Sequence, residues 1–188
     1  DKTIGRIVEK LDQLNIREET LIIYLGDNGS PIEVSSYMGD QEIPGGKGKT
    51  IDTGTHVPLI CNWKNNIPES IVSTDLVDST DFLPTIFDAA ELQYPENYIV
   101  DGKSFYPQLT GEKGNPRDWI FFHFDAGGRN KKPIQRFLRN HLWKLYEDGR
   151  MFDMKNDLYE TNPIFSEDDS KESKENRIKL EPLFLNLK

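Results

Sequence analysis

The feature that most constrains the fold is an apolar run, Thr20-Leu21-Ile22-Ile23-Tyr24-Leu25, that stops abruptly at Gly26-Asp27-Asn28-Gly29. Ile4, Ile7, Val8, Leu11 and Leu14 precede it at helical spacing. An amphipathic helix followed by a short apolar run bounded by turn residues predicts an α/β unit with a buried strand. Polar groups just past the carboxyl end of such a strand open into a crevice where ligands commonly sit. Asp27 and Asn28 hold that place.

Further along, residues 30–55 lack periodicity and are rich in Gly, Asp and Ser, which predicts a long surface loop, a class often functional in compact domains. A second strand is expected over 57–62. A helix is expected around 80–91, with Asp78, Ser79 and Thr80 as caps, Pro84 in the early turns and Leu83, Ile86, Phe87 and Ala90 as its apolar face. From Trp119 onward the pattern shifts to short strands at 119–124, 134–139, 142–147 and 151–154, with Glu147-Asp148-Gly149-Arg150 as a hairpin turn. The stretch 166–179 is highly charged; its acidic cluster Glu167-Asp168-Asp169, with Glu172 and Glu175, reads as a solvated face rather than a metal site because it lacks calcium-loop spacing, and Leu180, Leu183, Phe184, Leu185 and Leu187 read as the anchor of a terminal helix or tail. The expected architecture is the end of an α/β sheet over 1–115, then a small antiparallel sheet with a packed helix over 116–188.

Composition narrows the functions open to such a chain. Its 188 residues, 36% of them hydrophobic with ten Phe, seven Tyr and three Trp, can bury a sizeable core. A net charge of -9 excludes a general nucleic-acid binder, which needs basic surface to displace counterions. No apolar run approaches membrane-spanning length, and residues 1–6 lack a signal-peptide layout, so a soluble chain without membrane partner is expected. Cys61 is the single cysteine, which rules out an internal disulfide and cysteine-based zinc. Its apolar setting predicts a structural thiol.

Two short motifs carry oxygen and cationic donors. Asp27 and Asn28 are adjacent hard oxygen donors suited to calcium rather than zinc, although Asp-Asn-Gly also builds a turn unaided. Gly45-Gly46-Lys47-Gly48-Lys49 offers lysines where bare backbone can approach an anion, although a solvated glycine loop has the same composition. It is not a P-loop, because the G-x-x-x-x-G-K-[ST] spacing is absent.

The order of motifs is more informative than any one. The apolar strand, Gly-Asp-Asn-Gly, Gly-Gly-Lys-Gly, Thr53-Gly54-Thr55-His56-Val57-Pro58-Leu59-Ile60 and Asp81-Phe82-Leu83-Pro84-Thr85-Ile86-Phe87 follow one another. Asp101-Gly102-Lys103-Ser104-Phe105, Arg117-Asp118-Trp119 and Met151-Phe152-Asp153-Met154 then Asp157-Leu158-Tyr159-Glu160-Thr161 come after. This series resembles the carboxyl-terminal portion of the sulfatase family, within the alkaline-phosphatase-like superfamily, from about Asp1 to Phe165.

The resemblance implies a calcium role for Asp27 and Asn28, and a sulfate contact for Lys47 ahead of Lys49. The parent enzyme would hydrolyse organic sulfate esters, sulfated sugars among them. Asp-Asn, where phosphate- and phosphonate-cleaving relatives often show Asp-His, favours sulfate. The family's nucleophile, a cysteine in Cys-x-Pro-x-Arg oxidised to formylglycine, is not present, since Cys61 precedes Asn62-Trp63-Lys64. Acidic residues completing the calcium site also lie upstream in the family. The chain therefore reads as a fragment, inactive alone, whose partner is the missing amino-terminal portion, with a periplasmic or extracellular parent implied by resemblance.

Two histidines remain. His56, in Asp52-Thr53-Gly54-Thr55-His56 where the family often has an Arg, is expected as a polar residue at a strand mouth. His123, among Phe121, Phe122 and Phe124, is a candidate substrate contact from the small sheet, with a partnered surface histidine as the alternative; His141 reads as structural. Two rival functions fit the same scaffold: a phosphodiester or phosphonate hydrolase or transferase relative, and a non-catalytic carbohydrate- or partner-binding remnant.

Overall fold

The computed structural model describes residues 1–127 and 133–187, which form two compact units. The first comprises 1–26 and 58–117, and the second comprises 27–57 and 118–187. The chain thus leaves the first unit at Gly26 and returns at Pro58, so the aperiodic segment is grouped with the antiparallel sheet rather than with the strands that flank it.

In the first unit, helix α1 (Lys2–Gln13) precedes strand β1 (Ile22–Leu25). Ile4, Val8 and Leu11 are half-buried, as their spacing predicts, but no residue of α1 is fully buried. β1 pairs antiparallel with β4 (Leu59–Asn62), Tyr24 opposite Ile60 and Ile23 opposite Cys61. Tyr24, Leu25 and Ile60 are exposed, so the strand predicted as buried is uncovered on one side within the chain described.

Helix α3 (Phe82–Ala89) follows a 3-10 turn, Ser79–Asp81, closed by a reciprocal capping box between Asp78 and Asp81. The predicted apolar face is corrected in part. Leu83 and Ile86 are exposed, and the buried positions are Pro84 and Thr85. Thr85 is fixed because its hydroxyl donates to the Asp81 carbonyl and accepts the Phe105 N–H. Asp81, 1% exposed, accepts Arg117 Nε at 2.8 and 2.7 Å on its two oxygens and the Lys103 N–H at 2.6 Å. That cluster ties α3 to the turn before the short helix α4 (Tyr106–Leu109).

The second unit contains the core. Four antiparallel strands, β5 (Ile120–Phe124), β6 (Gln135–Arg139), β7 (Trp143–Tyr146) and β8 (Met151–Asp153), run in spatial order β5-β6-β7-β8. The strands expected from sequence are present within a residue of their predicted bounds. Glu147–Arg150 turns β7 into β8, with Gly149 at φ 92° and Tyr146 N–H donating to the Arg150 carbonyl. Successive side chains alternate between faces. One face carries Leu138, Trp143, Leu145 and Met151 against Leu180, with Leu183, Phe184 and Leu187 packed on them. The other carries Phe137, Tyr146 and Phe152 with Met154, against Phe122 and Leu158.

Helix α5 (Lys171–Leu180), capped by Ser170, brings Leu180 to the first face. The acidic cluster is not wholly a solvated face: the Asp169 carboxylate is buried and accepts Arg177 Nε at 2.7 Å. The segment predicted as an irregular loop contains a hairpin, β2 (Ser35–Met38) with β3 (Gln41–Pro44), turned at Gly39 with φ 63°. It also contains one helical turn, α2 (Asp52–Thr55). Every residue of β2 is exposed, so no burial period marks it.

Candidate functional site

Asp27, exposed, and Asn28, half-buried, leave β1 on a turn next to which glycines let backbone segments approach closely. The Gly29 N–H donates to the Gly54 carbonyl at 3.1 Å, and the Lys47 N–H donates to the Ser30 carbonyl at 2.9 Å. A β-carbon at Gly29 would stand 1.9 Å from the Thr53 carbonyl oxygen, and one at Gly45 would stand 1.9 Å from that of Pro31. One at Gly46 would meet the Gly54 nitrogen at 2.5 Å. Glycine is needed at these points because three stretches of backbone touch directly. The result is a knot that brings 27–30, 45–49 and 53–54 into one place.

Lys47 and Lys49 both project from it as exposed side chains, with no ion pair among the described residues. Asn28 Nδ2 donates to the Gly29 carbonyl at 2.9 Å, which leaves Oδ1 available as an acceptor beside the exposed Asp27 carboxylate. This pair of hard oxygens suits part of a calcium shell, which takes six to eight such ligands. Among the described residues no three His, Cys, Asp or Glu side chains converge as a complete metal set. Among the described residues the pair can supply only part of such a shell.

The knot is seated on the face of the sheet that carries Gln135, Phe137, Arg139, Lys144 and Tyr146. Thr50 Oγ1 donates to Gln135 Oε1 at 2.6 Å and lies 2.8 Å from the Tyr146 hydroxyl. Tyr146 donates to Glu160 Oε2 at 2.6 Å. Lys144 Nζ donates to the Thr50 carbonyl and, at 2.6 Å, to Glu160 Oε1. Arg139 pairs with Asp52, and His56 Nδ1 is 3.3 Å from the second Asp52 oxygen.

These surroundings shift several protons. Burial pushes the Lys144 ammonium down to about 8, opposed by Glu160. Burial also raises the Tyr146 hydroxyl, and Glu160 adds to that. At Asp52 burial raises the carboxyl, but the His56 hydrogen bond and the Arg139 charge outweigh it and hold the group below its ordinary range. Beside this network lies a cavity of about 250 Å³, lined among the described residues by Lys49, Thr50, Phe124, Gln135, Tyr146 and Arg150. Arg150 stacks 4.5 Å from the Tyr146 ring centroid.

His123 is not brought to this face. It lies opposite Arg136 in the register, alternating with Phe122 and Phe124, and is exposed on the other side of the sheet with Arg136 Nε 3.3 Å from its Nδ1. His56 is exposed and leans on Asp52, as a polar residue at a strand mouth should. Cys61 is half-buried, its thiol pushed up to about 11 by burial, consistent with an unreactive role. Sequence reasoning missed Asp52, Arg139, Lys144 and Glu160. A lysine flanked by Trp143 and Leu145 inside an apolar strand was the available signal.

Comparison with known proteins follows the same residues. Residues 1–92 match the family model described as Sulfatase, and residues 47–183 match that described as N-sulphoglucosamine sulphohydrolase, C-terminal. A sulfatase of Formosa agariphila is 29% identical over 206 aligned positions, spanning 96% of this chain and 36% of that protein. An arylsulfatase of Hemicentrotus pulcherrimus is 32% identical over 121, spanning 64% of this chain and 22% of its own length. The chain thus spans well under half the length of these curated relatives.

Among solved structures, one in complex with its substrate, D-glucosamine-2-N,6-O-disulfate, superposes with TM-score 0.78 at 22% identity, covering 98% of this chain and 38% of that one. A Pseudoalteromonas sulfatase superposes with TM-score 0.62 at 23% identity, covering 85% and 35%. The fold shared with these structures is the alkaline-phosphatase-like one, with its small antiparallel sheet.

Proposed function

Because this chain belongs to the sulfatase family, we propose that it is the carboxyl-terminal part of an enzyme hydrolysing organic sulfate esters, and that Asp27, Asn28 and Lys47 are its share of a calcium and sulfate site. The observation that carries this reading is the glycine knot. Two backbone hydrogen bonds, Gly29 to Gly54 and Lys47 to Ser30, hold the oxygen pair and the lysine segment together although some twenty residues separate them.

In this reading Asp27 and Asn28 present oxygens to the cation, and the Lys47 ammonium donates to sulfate oxygens. Calcium, when bound, offsets negative charge on the sulfate group during displacement at sulfur. The lysine acts in the same sense from the protein side, where charge placed before the reaction needs no reorganisation. The nucleophile and remaining calcium ligands belong to the portion that the relatives carry and the 188 residues do not; these contain no Cys-x-Pro-x-Arg.

The exposed faces of α1 and of the β1–β4 pair are where that portion would pack, since Ile7, Tyr24, Leu25 and Ile60 lie open. A sugar sulfate is the substrate class we favour, supported by the structural neighbour solved with a sulfated glucosamine. An exported parent is part of the same proposal; no described helix is long and apolar enough to cross a membrane.

The test uses the sulfatase polypeptide that carries this chain. Lys47→Ala should lower kcat/KM for 4-nitrophenyl sulfate by roughly 10²–10³, the usual cost of losing one donor to a developing charge. Asp27→Ala should make turnover depend on added calcium. Equal turnover of 4-nitrophenyl phosphate by the unaltered protein would turn the reading toward a phosphate-cleaving relative.

A further inference from the structure

Lys144 presents a physical puzzle. Its side chain is 0% exposed inside an otherwise apolar strand, 3.8 Å from the Phe137 ring centroid. Taking an ammonium and its carboxylate partner out of water costs several kcal/mol per ion, and an apolar pair of similar volume is often as stable or more so. Stability alone therefore gives no reason for Lys144 and Glu160. What the pair can do, and methionine or leucine cannot, is grip a particular backbone carbonyl.

The carbonyl gripped is that of Thr50, the residue immediately after Lys47-Gly48-Lys49. The Thr50 hydroxyl donates to Gln135 and packs 2.8 Å from that of Tyr146, and Asp52, two residues on, is held by Arg139. Upstream, the lysine segment is held through its backbone, with the Lys47 N–H on the Ser30 carbonyl and the Lys49 N–H on that of Gly46, and Gly48 stands at φ 77°. A segment so poor in side-chain packing needs an external fixed point.

We propose that Lys144 and Glu160 are positioning residues which, through Thr50, fix where the Lys47 and Lys49 ammonium groups stand, so that the interior of the sheet sets the geometry of the sulfate contact. This rests on the sulfate role proposed for Lys47. Lys144 and Glu160 touch no substrate. Strand β7 is the platform of Lys144, Glu160 meets it from the turn that follows β8, and the glycine knot carries the constraint across three residues to Lys47.

A double-mutant cycle tests it in the complete sulfatase polypeptide. The variant Lys144→Met with Glu160→Gln removes both charges together, so no uncompensated ion is left buried. Backbone amides of 45–52 should exchange with deuterium about tenfold faster while those of β6 and β7 keep their protection, the pattern of local opening. Its kcat/KM for 4-nitrophenyl sulfate should fall at least tenfold, since displacements near 1 Å carry such costs.

Adding Lys47→Ala should then cost much less than it does in the unaltered protein, because a misplaced lysine has less to lose. Additive effects, or unchanged exchange at 45–52, would overturn the proposal. If the double variant does not fold, Lys144→Leu with Glu160→Gln, which likewise removes both charges and the grip on the Thr50 carbonyl, is measured in the same cycle and judged by the same two outcomes. Should Lys47→Ala alone leave turnover unchanged, the sulfate role falls, whereas the exchange measurement still decides whether the sheet holds the loop.

Discussion

The two units of this chain are built on opposite terms. In the second, both faces of the four-stranded sheet are covered, and Phe137, Leu138, Leu145, Met151 and Phe152 are each at most 2% exposed. In the first, Phe105 is the one fully buried large hydrophobic among the described residues, while Ile60, Val72 and Ile99 are 59%, 89% and 85% exposed. Both units contain helices and strands with apolar faces, so the difference is not one of local structure. It lies in whether the chain itself supplies what packs against those faces, and the proposed site is carried by the unit for which it does.

The most severe way to break the comparison is Glu160→Ala. It leaves the Lys144 ammonium buried without its carboxylate, and removal of one partner of a buried pair costs about 3–5 kcal/mol. Urea unfolding followed by the fluorescence of buried Trp143 should show that loss, and a change below about 1 kcal/mol would mean the second unit does not depend on its polar interior.

Acid sharpens the same contrast. The Arg177 hydrogen bond, working against burial, holds the Asp169 carboxyl below its ordinary range, as His56 and Arg139 hold that of Asp52. A carboxyl whose folded pKa is depressed gives stability that is complete above its unfolded pKa of about 3.9 and lost as pH falls through the folded value. The Trp143 signal should therefore report falling stability below about pH 4, and Asp169→Asn should flatten part of that fall. An identical pH slope in the variant would remove Asp169 from the account.

The smallest effect belongs to the first unit. Ile60→Thr, on the open side of β4, should change the stability of the 188-residue chain by no more than about 0.5 kcal/mol, as exposed substitutions do. In the longer polypeptide proposed above the same change should cost clearly more. Equal, negligible effects in both would show that the β1–β4 face is not a packing surface.

Much of the second unit was legible in advance. Phe121 to Phe124, Phe137-Leu138 and Trp143 to Tyr146 mark strands by β-prone side chains between turn residues, and Glu147-Asp148-Gly149-Arg150 marks the turn. The hairpin Ser35–Met38 with Gln41–Pro44 was not, because its residues are largely exposed and no hydrophobic alternation records it. In α3, periodicity picked out Leu83 and Ile86, yet Pro84 and Thr85 are the buried ones. A helical period identifies an apolar face without saying what is present to cover it.

The same division runs through the site. Motif order alone singled out Asp27, Asn28 and Lys47 for the proposed site, since short motifs in a fixed sequence are informative even where each is ambiguous. Sequence also separated Cys61 from the family's Cys-x-Pro-x-Arg pattern, because Asn62-Trp63-Lys64 follow it. Only the tertiary structure decided that glycine backbones join the segment of the oxygen pair to the lysine loop, that Lys144, paired with Glu160, reaches the Thr50 carbonyl, and that His123 points from the other face. The physical reason is separation along the chain: Lys144 and Thr50 meet across 94 residues, and no local pattern records a contact that only folding creates.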